Sequence, residues 1–446
     1  MASGQKHRLD PSDLNNAQYL TLDFYPQSKE AHALGAKLHE LIIGPKVKTK
    51  GAGRPPKVGA IGNAALVTVA EIIDVAKGNI ESTVHHGLSA GKFSGRQISY
   101  RHFKPAIDGL ERLGMVKIRK GSWNKTSKFA DADNPGTGFG HNTRWHPTQK
   151  LMDLCKSFSI THRNIESHFE IMLPRDPIML RESSRGSGRN KVKGRTVTFP
   201  ETTTTERLKS EIKEINEFLK GFTLTGATHR GYRRIYNQGD DLETYKWDKG
   251  GRLYGSGDAE SYLIIKKAER KKMLIDGEAT VEIDVRASYL TIFHAMHNTP
   301  FDVENDPYDF LEFPRAVVKL WMVIAFGAGK PPIRWTPKAI EEFRESTGKE
   351  LGKVYNLGKL VTPKIMAAFP VLQRLKIGGY DCFDLMNRES NAMVASMLRL
   401  LRTSKVPAYS IHDCLIVRKK DEELATSVLK DEYLKATKAL PYLKVS

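Results

Sequence analysis

Residues 280–294 read TVEIDVRASYLTIFH, and the fold turns on how they are read. Val281, Ile283 and Val285 alternate with Glu282 and Asp284, the period-two pattern of a half-buried strand, and the residues that follow change to helical spacing. The pattern places Asp284 at a strand end. Far downstream, residues 408–418 read AYSIHDCLIVR. Two apolar runs, Ala408 to Ile411 and Leu415 to Val417, flank His412-Asp413, which predicts a hairpin whose turn presents Asp413. An aspartate at a strand end or turn often does no more than satisfy nearby backbone N–H groups. Two strands that each deliver one aspartate in a basic protein, however, match the needs of a two-metal phosphoryl-transfer site. There, carboxylates hold divalent ions that clamp the attacking and leaving oxygens.

The charge balance points the same way. The chain has 446 residues, with 70 Lys+Arg against 51 Asp+Glu and a formal net charge of +19, which directs attention to a polyanionic partner. Nucleic acid is favoured over a membrane: no run of eighteen apolar residues occurs, and the opening MASGQKHRLDPSDLNN lacks the apolar core of a signal peptide. A soluble intracellular protein is expected. Cys155, Cys382 and Cys414 are odd in number and widely spaced, which fits a reducing compartment and offers no zinc spacing. Cys414 adjoins Asp413 but has no base partner in the sequence and is expected to fill space.

Residues 1–57 comprise an N-terminal segment with a short helical pattern and a basic Gly/Pro-containing linker, KVKTKGAGRPPK. Residues 58–180 form the next expected domain. A helical apolar pattern covers Ile61 to Ala76, and a second helix opens at Ser99-Tyr100 with Phe103, Ile107, Leu110 and Leu113 on one face and Gly114 as its stop. A strand MVKIRKG, a Gly-rich loop and TRWHPT follow. This order is similar to a winged helix-turn-helix domain, whose helix enters the DNA major groove, and it makes Arg96, Tyr100, Arg101, His102 and Lys104 candidate DNA-binding residues. A small helical domain with a basic face and no nucleic-acid role is the alternative. Residues 181–200 read as a second basic linker, rich in Gly and Ser, and 201–446 as the catalytic domain.

Within that domain, Leu208, Ile212, Ile215 and Leu219 mark a charged helix suited to a small thumb in 201–245. WDKGGRLYG at 247–255 sets two glycines before Arg252, with Asp248 four residues back and able to orient it. RAVVKLWMVIAFGAGK at 315–330 puts Arg315 and Lys319 on one helical face, where two cations could grip a triphosphate or merely snorkel from a surface helix. A further amphipathic helix runs from Glu389 to Thr403, and a final one is expected near 421–438.

Taken in order, these motifs resemble those of the superfamily of family-A DNA polymerases and phage-type single-subunit RNA polymerases. DKGGR is similar to its Thr/Asp-x-x-Gly-Arg motif, VEIDVRASYLTI to motif A, RAVVKLWMVIAFG to the motif-B helix and SIHDCLIV to motif C. The layout also resembles polymerase-like proteins of phages and mobile elements, which implies the cytoplasm of a bacterial or phage-infected cell. The resemblance implies an α+β right-hand polymerase, with a palm of antiparallel sheet and helical fingers in 246–446, plus the N-terminal winged helix. It implies two Mg²⁺ (or Mn²⁺) ions on Asp284 and Asp413 and a DNA primer-template and nucleoside triphosphates as partners. Lys319 would be the catalytic cation, and Arg315, Lys319, Phe326 and Tyr289 would meet the nucleotide. Asp248, Arg252 and His412 would meet the primer-template.

Two departures stand out. Lys319 lies one residue nearer the aromatic-glycine pair than in the family's usual motif B, and Cys414 follows the motif-C aspartate where the DNA polymerases carry Glu and the RNA polymerases Ser. Tyr289 occupies the position that lies under the ribose in the family, and a ring there would collide with a 2′-hydroxyl. DNA-directed DNA synthesis in replication is therefore expected, without a proofreading exonuclease. A primase or single-subunit RNA polymerase using NTPs, and a non-catalytic DNA-binding replication or regulatory protein, remain the alternatives.

Overall fold

The computed structural model describes residues 17–44, 59–89, 93, 97–125, 138–171, 173–186, 192, 194–255, 261–309, 312–376 and 379–446. The basic linker at 46–57, residues 136 and 137 of the Gly-rich loop expected at 136–140, and Arg96 lie outside the described residues, and the rest of that loop is in a strand, Gly138–His141. The chain divides into two compact units of mixed α and β structure. Among the described residues no helix is long and apolar enough to cross a membrane.

The first unit comprises 1–176 with the short returns 228–231 and 255–265. Its elements are β1 (Gln18–Tyr19), β2 (Phe24–Pro26), α1 (Lys29–Ile43), α2 (Ala60–Ala76), β3 (Val84–His85), α3 (Tyr100–Arg112), β4 (Val116–Arg119), β5 (Ser122–Lys125), β6 (Gly138–His141), β7 (Arg144–Pro147), α4 (Gln149–Ser157) and β8 (Phe169–Ile171). α2 is apolar almost all round and is buried on nearly every face, so it forms the centre against which α1 and α3 pack. Residues 29–43 therefore share one core with the domain expected to begin at 58. β4 pairs with β7 and β5 with β6, so α3 is followed by an antiparallel ribbon. Phe103, Ala106, Ile107 and Leu110 turn inward from α3, and Gly114 takes a φ of +68° just beyond it.

The second unit comprises 177–227, 232–254 and 266–446. One sheet has the order β10 (Thr196–Val197), β9 (Ile178–Arg181), β12 (Tyr232–Tyr236), β13 (Gly250–Gly255), and is flanked by α5 (Thr203–Lys220). The Asn216 side chain of α5 accepts from the Tyr232 amide at 2.7 Å and donates to the Tyr232 carbonyl at 2.9 Å, fixing helix to strand through a buried, fully paired amide. The second sheet has the order β11 (Leu224–Thr225), β14 (Leu274–Ile275), β15 (Glu278–Val285), β17 (Cys414–Arg418), β16 (Tyr409–Ile411), with β18 (Leu443–Val445) also on β15. The same unit also contains α6 (Ser288–Met296), α7 (Arg315–Ala328), α8 (Pro337–Thr347), α9 (Cys382–Arg399) and α10 (Glu422–Thr437). The buried Tyr232 hydroxyl takes the Ser410 amide at 2.8 Å and so ties β12 to β16.

Candidate active site

β15 and β17 run antiparallel with Asp284 opposite Cys414, and the Val285 amide donates to the Asp413 carbonyl at 3.0 Å. Ile411 pairs with Cys414 in the next ladder, so His412-Asp413 is a two-residue turn. His412 adopts the left-handed φ of 56° that such a turn needs. Two carboxylates thus project from neighbouring positions of one sheet, although 129 residues of chain separate them.

Their environment makes negative charge costly. Burial raises the Asp413 carboxyl far above the usual range, and the charges of Glu389 and Asp284 raise it further, against a backbone hydrogen bond and Arg252. Asp284 is raised by burial as well, with Lys267 and then Lys319 pulling it back. Half-buried acids that repel one another are relieved by a cation, which inverts this logic and holds both groups ionised.

Arg252 stands beside them on β13. Its guanidinium donates to Glu389 at 2.5 Å and to the Tyr289 hydroxyl at 3.1 Å, and lies 5.9 Å from the centre of the Tyr289 ring. The sequence suggested Asp248 as the group that orients Arg252. In the structure Asp248 is exposed and precedes the strand, and the carboxylate on the guanidinium is that of Glu389, a buried residue of α9. Tyr289 lies in the first turn of α6, with Phe326 of α7 edge-on to it at 6.1 Å. Phe326 is 4% exposed and also packs edge-on against Phe293 at 5.5 Å, so its ring is committed to the core rather than offered to a ligand.

Arg315 and Lys319 are both exposed on α7. Arg315 pairs with Asp306 at 2.9 Å and lies over the Tyr308 ring at 5.4 Å. The Lys319 charge is felt at Asp284. The His412 imidazole is pushed down to about 4, first by the surrounding protein and then by the charge of Arg252, and is therefore neutral near pH 7. In the other unit, Arg101 is exposed on α3, His102 bonds Ser99 at 3.1 Å, half-buried Tyr100 packs near Phe93, and Lys104 pairs with Asp108 at 2.5 Å.

Among the described residues no group of three or more His, Cys, Asp or Glu side chains is arranged to hold a metal ion. The donor set here is two hard carboxylates. That is what Mg²⁺ commonly takes from a protein when water and substrate phosphates supply its other ligands, so the residues present fit such an ion. Three participants escaped the reading of the sequence. Glu389 faces Arg252 and Asp413, Tyr308 feels the charge of Asp413, and Lys267 pairs with Glu282 at 3.0 Å and also reaches Asp284. Glu389 carried one signal, an acid on the helix face that also presents Leu385, Ala392 and Met393 to the core.

No protein-family model matches the chain, and no curated protein matches it. Among solved structures it is similar to the POL domain of Pol1 from M. smegmatis in complex with DNA primer-template and dNTP, at 12% identity, over 98% of this chain and 67% of that one, with a TM-score of 0.28. A score of that size carries no argument about what this chain does.

Proposed function

We propose that the chain is a template-dependent nucleotidyltransferase of right-hand polymerase layout, and that it is a DNA-directed DNA polymerase extending a 3′-hydroxyl with dNTPs. The observation that carries this reading is the delivery of Asp284 and Asp413 to one end of the sheet by the paired antiparallel strands β15 and β17, with both carboxyls raised by burial.

In this reading Asp284 and Asp413 would hold two Mg²⁺ or Mn²⁺ ions. Such ions supply Lewis acidity, easing ionisation of the primer hydroxyl and stabilising charge on the α-phosphate and the departing pyrophosphate. Lys319 is exposed and within electrostatic reach of Asp284, where an ammonium neutralises a triphosphate and can donate a proton to the leaving group. Arg315 grips the same phosphates bidentately by exchanging Asp306 for them. Neutral His412 donates an N–H to the primer phosphate, and Arg252 lies against the terminal base pair. Tyr289 crowds the sugar and disfavours a 2′-hydroxyl. α3 and the ribbon after it form the second DNA contact, through Arg96, Tyr100, Arg101, His102 and Lys104.

The test is to incubate the protein with Mg²⁺, a primed or an unprimed template, and either dNTPs or NTPs. Extension of the primer by dNTPs alone is expected. Products made from NTPs on unprimed template would replace this reading with a primase, and extension that survives Asp413→Ala would end it.

A further inference from the structure

Tyr289 does not hold its own position. Its hydroxyl is tethered to Arg252, and Arg252 is in turn fixed by Glu389. The side chain of Glu389 is 2% exposed and that of Arg252 19%, so neither end of the pair is free to wander in solvent. The edge of Phe326, itself buried, also meets the ring. A tyrosine at a cleft can rotate about two side-chain torsions. One anchored at its hydroxyl by a paired guanidinium is confined to one orientation, because a buried charged donor that loses its acceptor is expensive.

Resting on the polymerase reading, we infer that Glu389 is a specificity-determining positioning residue: through Arg252 it pins the Tyr289 ring in the place where it excludes a 2′-hydroxyl. Glu389 touches neither nucleotide nor metal in this scheme. Its effect is read on the ratio of deoxyribonucleotide to ribonucleotide insertion, because any weakening of Arg252 or Asp413 would lower both insertions alike. The three residues come from β13, α6 and α9, so the sugar-selecting ring is held from the far side by a helix outside every motif that identifies the site.

The experiment compares single-nucleotide insertion of a dNTP and the matching NTP on one primed template, for the parent chain and for Tyr289→Phe, Glu389→Gln and Glu389→Ala. Tyr289→Phe keeps the ring and removes only its tether, and should lower the dNTP preference about tenfold, the weight of a hydrogen bond to a charged group. Glu389→Ala should lower it as much, and Glu389→Gln, which can still accept from the guanidinium, should restore most of it. Combining Tyr289→Phe with Glu389→Ala should add nothing, because both cut the same chain of contacts. A parent chain that inserts neither nucleotide defeats the polymerase reading itself. A parent chain that discriminates, with Tyr289→Phe or Glu389→Ala discriminating equally well, defeats the inference and leaves that reading standing. Tyr289→Phe deletes one atom, so it decides the matter even where Glu389→Ala does not fold.

Discussion

Each unit of the molecule contains a buried arginine–glutamate pair, and the two pairs do opposite things. In the first unit Glu71 on α2 accepts the amides of Thr21 and Leu22 at 2.5 and 2.6 Å and the Thr21 hydroxyl at 2.7 Å, with Arg230 at 3.7 Å. Both its oxygens are occupied by donors that fasten the chain between β1 and β2 to the central helix. Such a carboxylate is a structural knot. In the second unit Glu389 meets Arg252, but beside them stand Asp284 and Asp413, and Asp413 is raised by the charge of Glu389. Arg252 is spent on Glu389, Lys267 and Lys319 offset only part of what burial does to Asp284, and Asp413 stays raised. The difference is in the charge left over: the first pair closes on itself, and the second leaves a surplus that a cation would settle.

The largest effect should come from destroying that surplus. Asp413→Asn keeps the shape of the turn and should lower primer extension by about a thousandfold or more, since it removes an anchor for the ions on which phosphoryl transfer depends. Its melting temperature should hold or rise, because a raised, repelled acid has been replaced by a neutral isostere. Loss of stability with activity kept would make Asp413 as structural as Glu71. The mirror experiment is Glu71→Ala, which strands Arg230 in the interior and should cost about 3–5 kcal/mol of the first unit's stability by chemical denaturation. The contacts Arg230 keeps, among them Asp74 at 3.1 Å and the Thr21 hydroxyl at 3.4 Å, pull the expectation to the lower end.

The strands that carry Asp284 and Asp413 were legible in the sequence, the two arginine–glutamate pairs were not, and the physical reasons are specific. The alternation over 280–285 lies in the strand Glu278–Val285, and the paired apolar runs at 408–418 are β16 and β17 around a two-residue turn, because period-two patterning and turn chemistry are local. The helix expected near 421–438 is Glu422–Thr437 for the same reason. Glu389 carried only its place on an apolar helix face, and a single acid there looks like noise until the fold brings Arg252, 137 residues away, against it. The returns of 228–231 and 255–265 to the first unit were equally hidden, since a linear reading makes contiguous domains. They matter, because Arg230, the partner of Glu71, arrives on one of them.

The two pairs should also answer differently to pH and to metal. Burial raises the Glu71 carboxyl to about 7 against the pull of Arg230 and Thr21, from an ordinary value of 4.5. A folded pKa above the unfolded one means that the folded state binds more protons between those values, so this group's contribution to stability falls as pH rises from about 4.5 to 7. Thermal unfolding of the first unit should decline across that window, and Glu71→Gln should flatten the decline. Asp413 and Asp284 have raised pKa values too, but there a divalent cation competes with the proton. Millimolar Mg²⁺ should raise the melting of the second unit by a few degrees, more at pH 8 than at pH 6, and Asp413→Asn should abolish the shift. A Mg²⁺ shift that persists in Asp413→Asn would place the ion elsewhere.

The smallest effect tests whether an unpaired group in the second unit is a defect or a handle. A cavity of about 440 Å³ lies between α5, β12 and α9, and Tyr236 lines it at 1% exposure. The Tyr236 hydroxyl is buried with no hydrogen-bond partner among the described residues, while Arg234, 5.1 Å from the ring centre, spends its own donors on the Gly251 carbonyl and on Asn391. A buried hydroxyl without an acceptor loses its hydration for nothing, so Tyr236→Phe should raise the stability of the Mg²⁺-responsive transition by about 1 kcal/mol. The ring stays edge-on to Trp247 at 5.1 Å, so no packing is given up. A fall in stability would mean instead that the hydroxyl is satisfied by water within the cavity, so that the group is a handle rather than a defect.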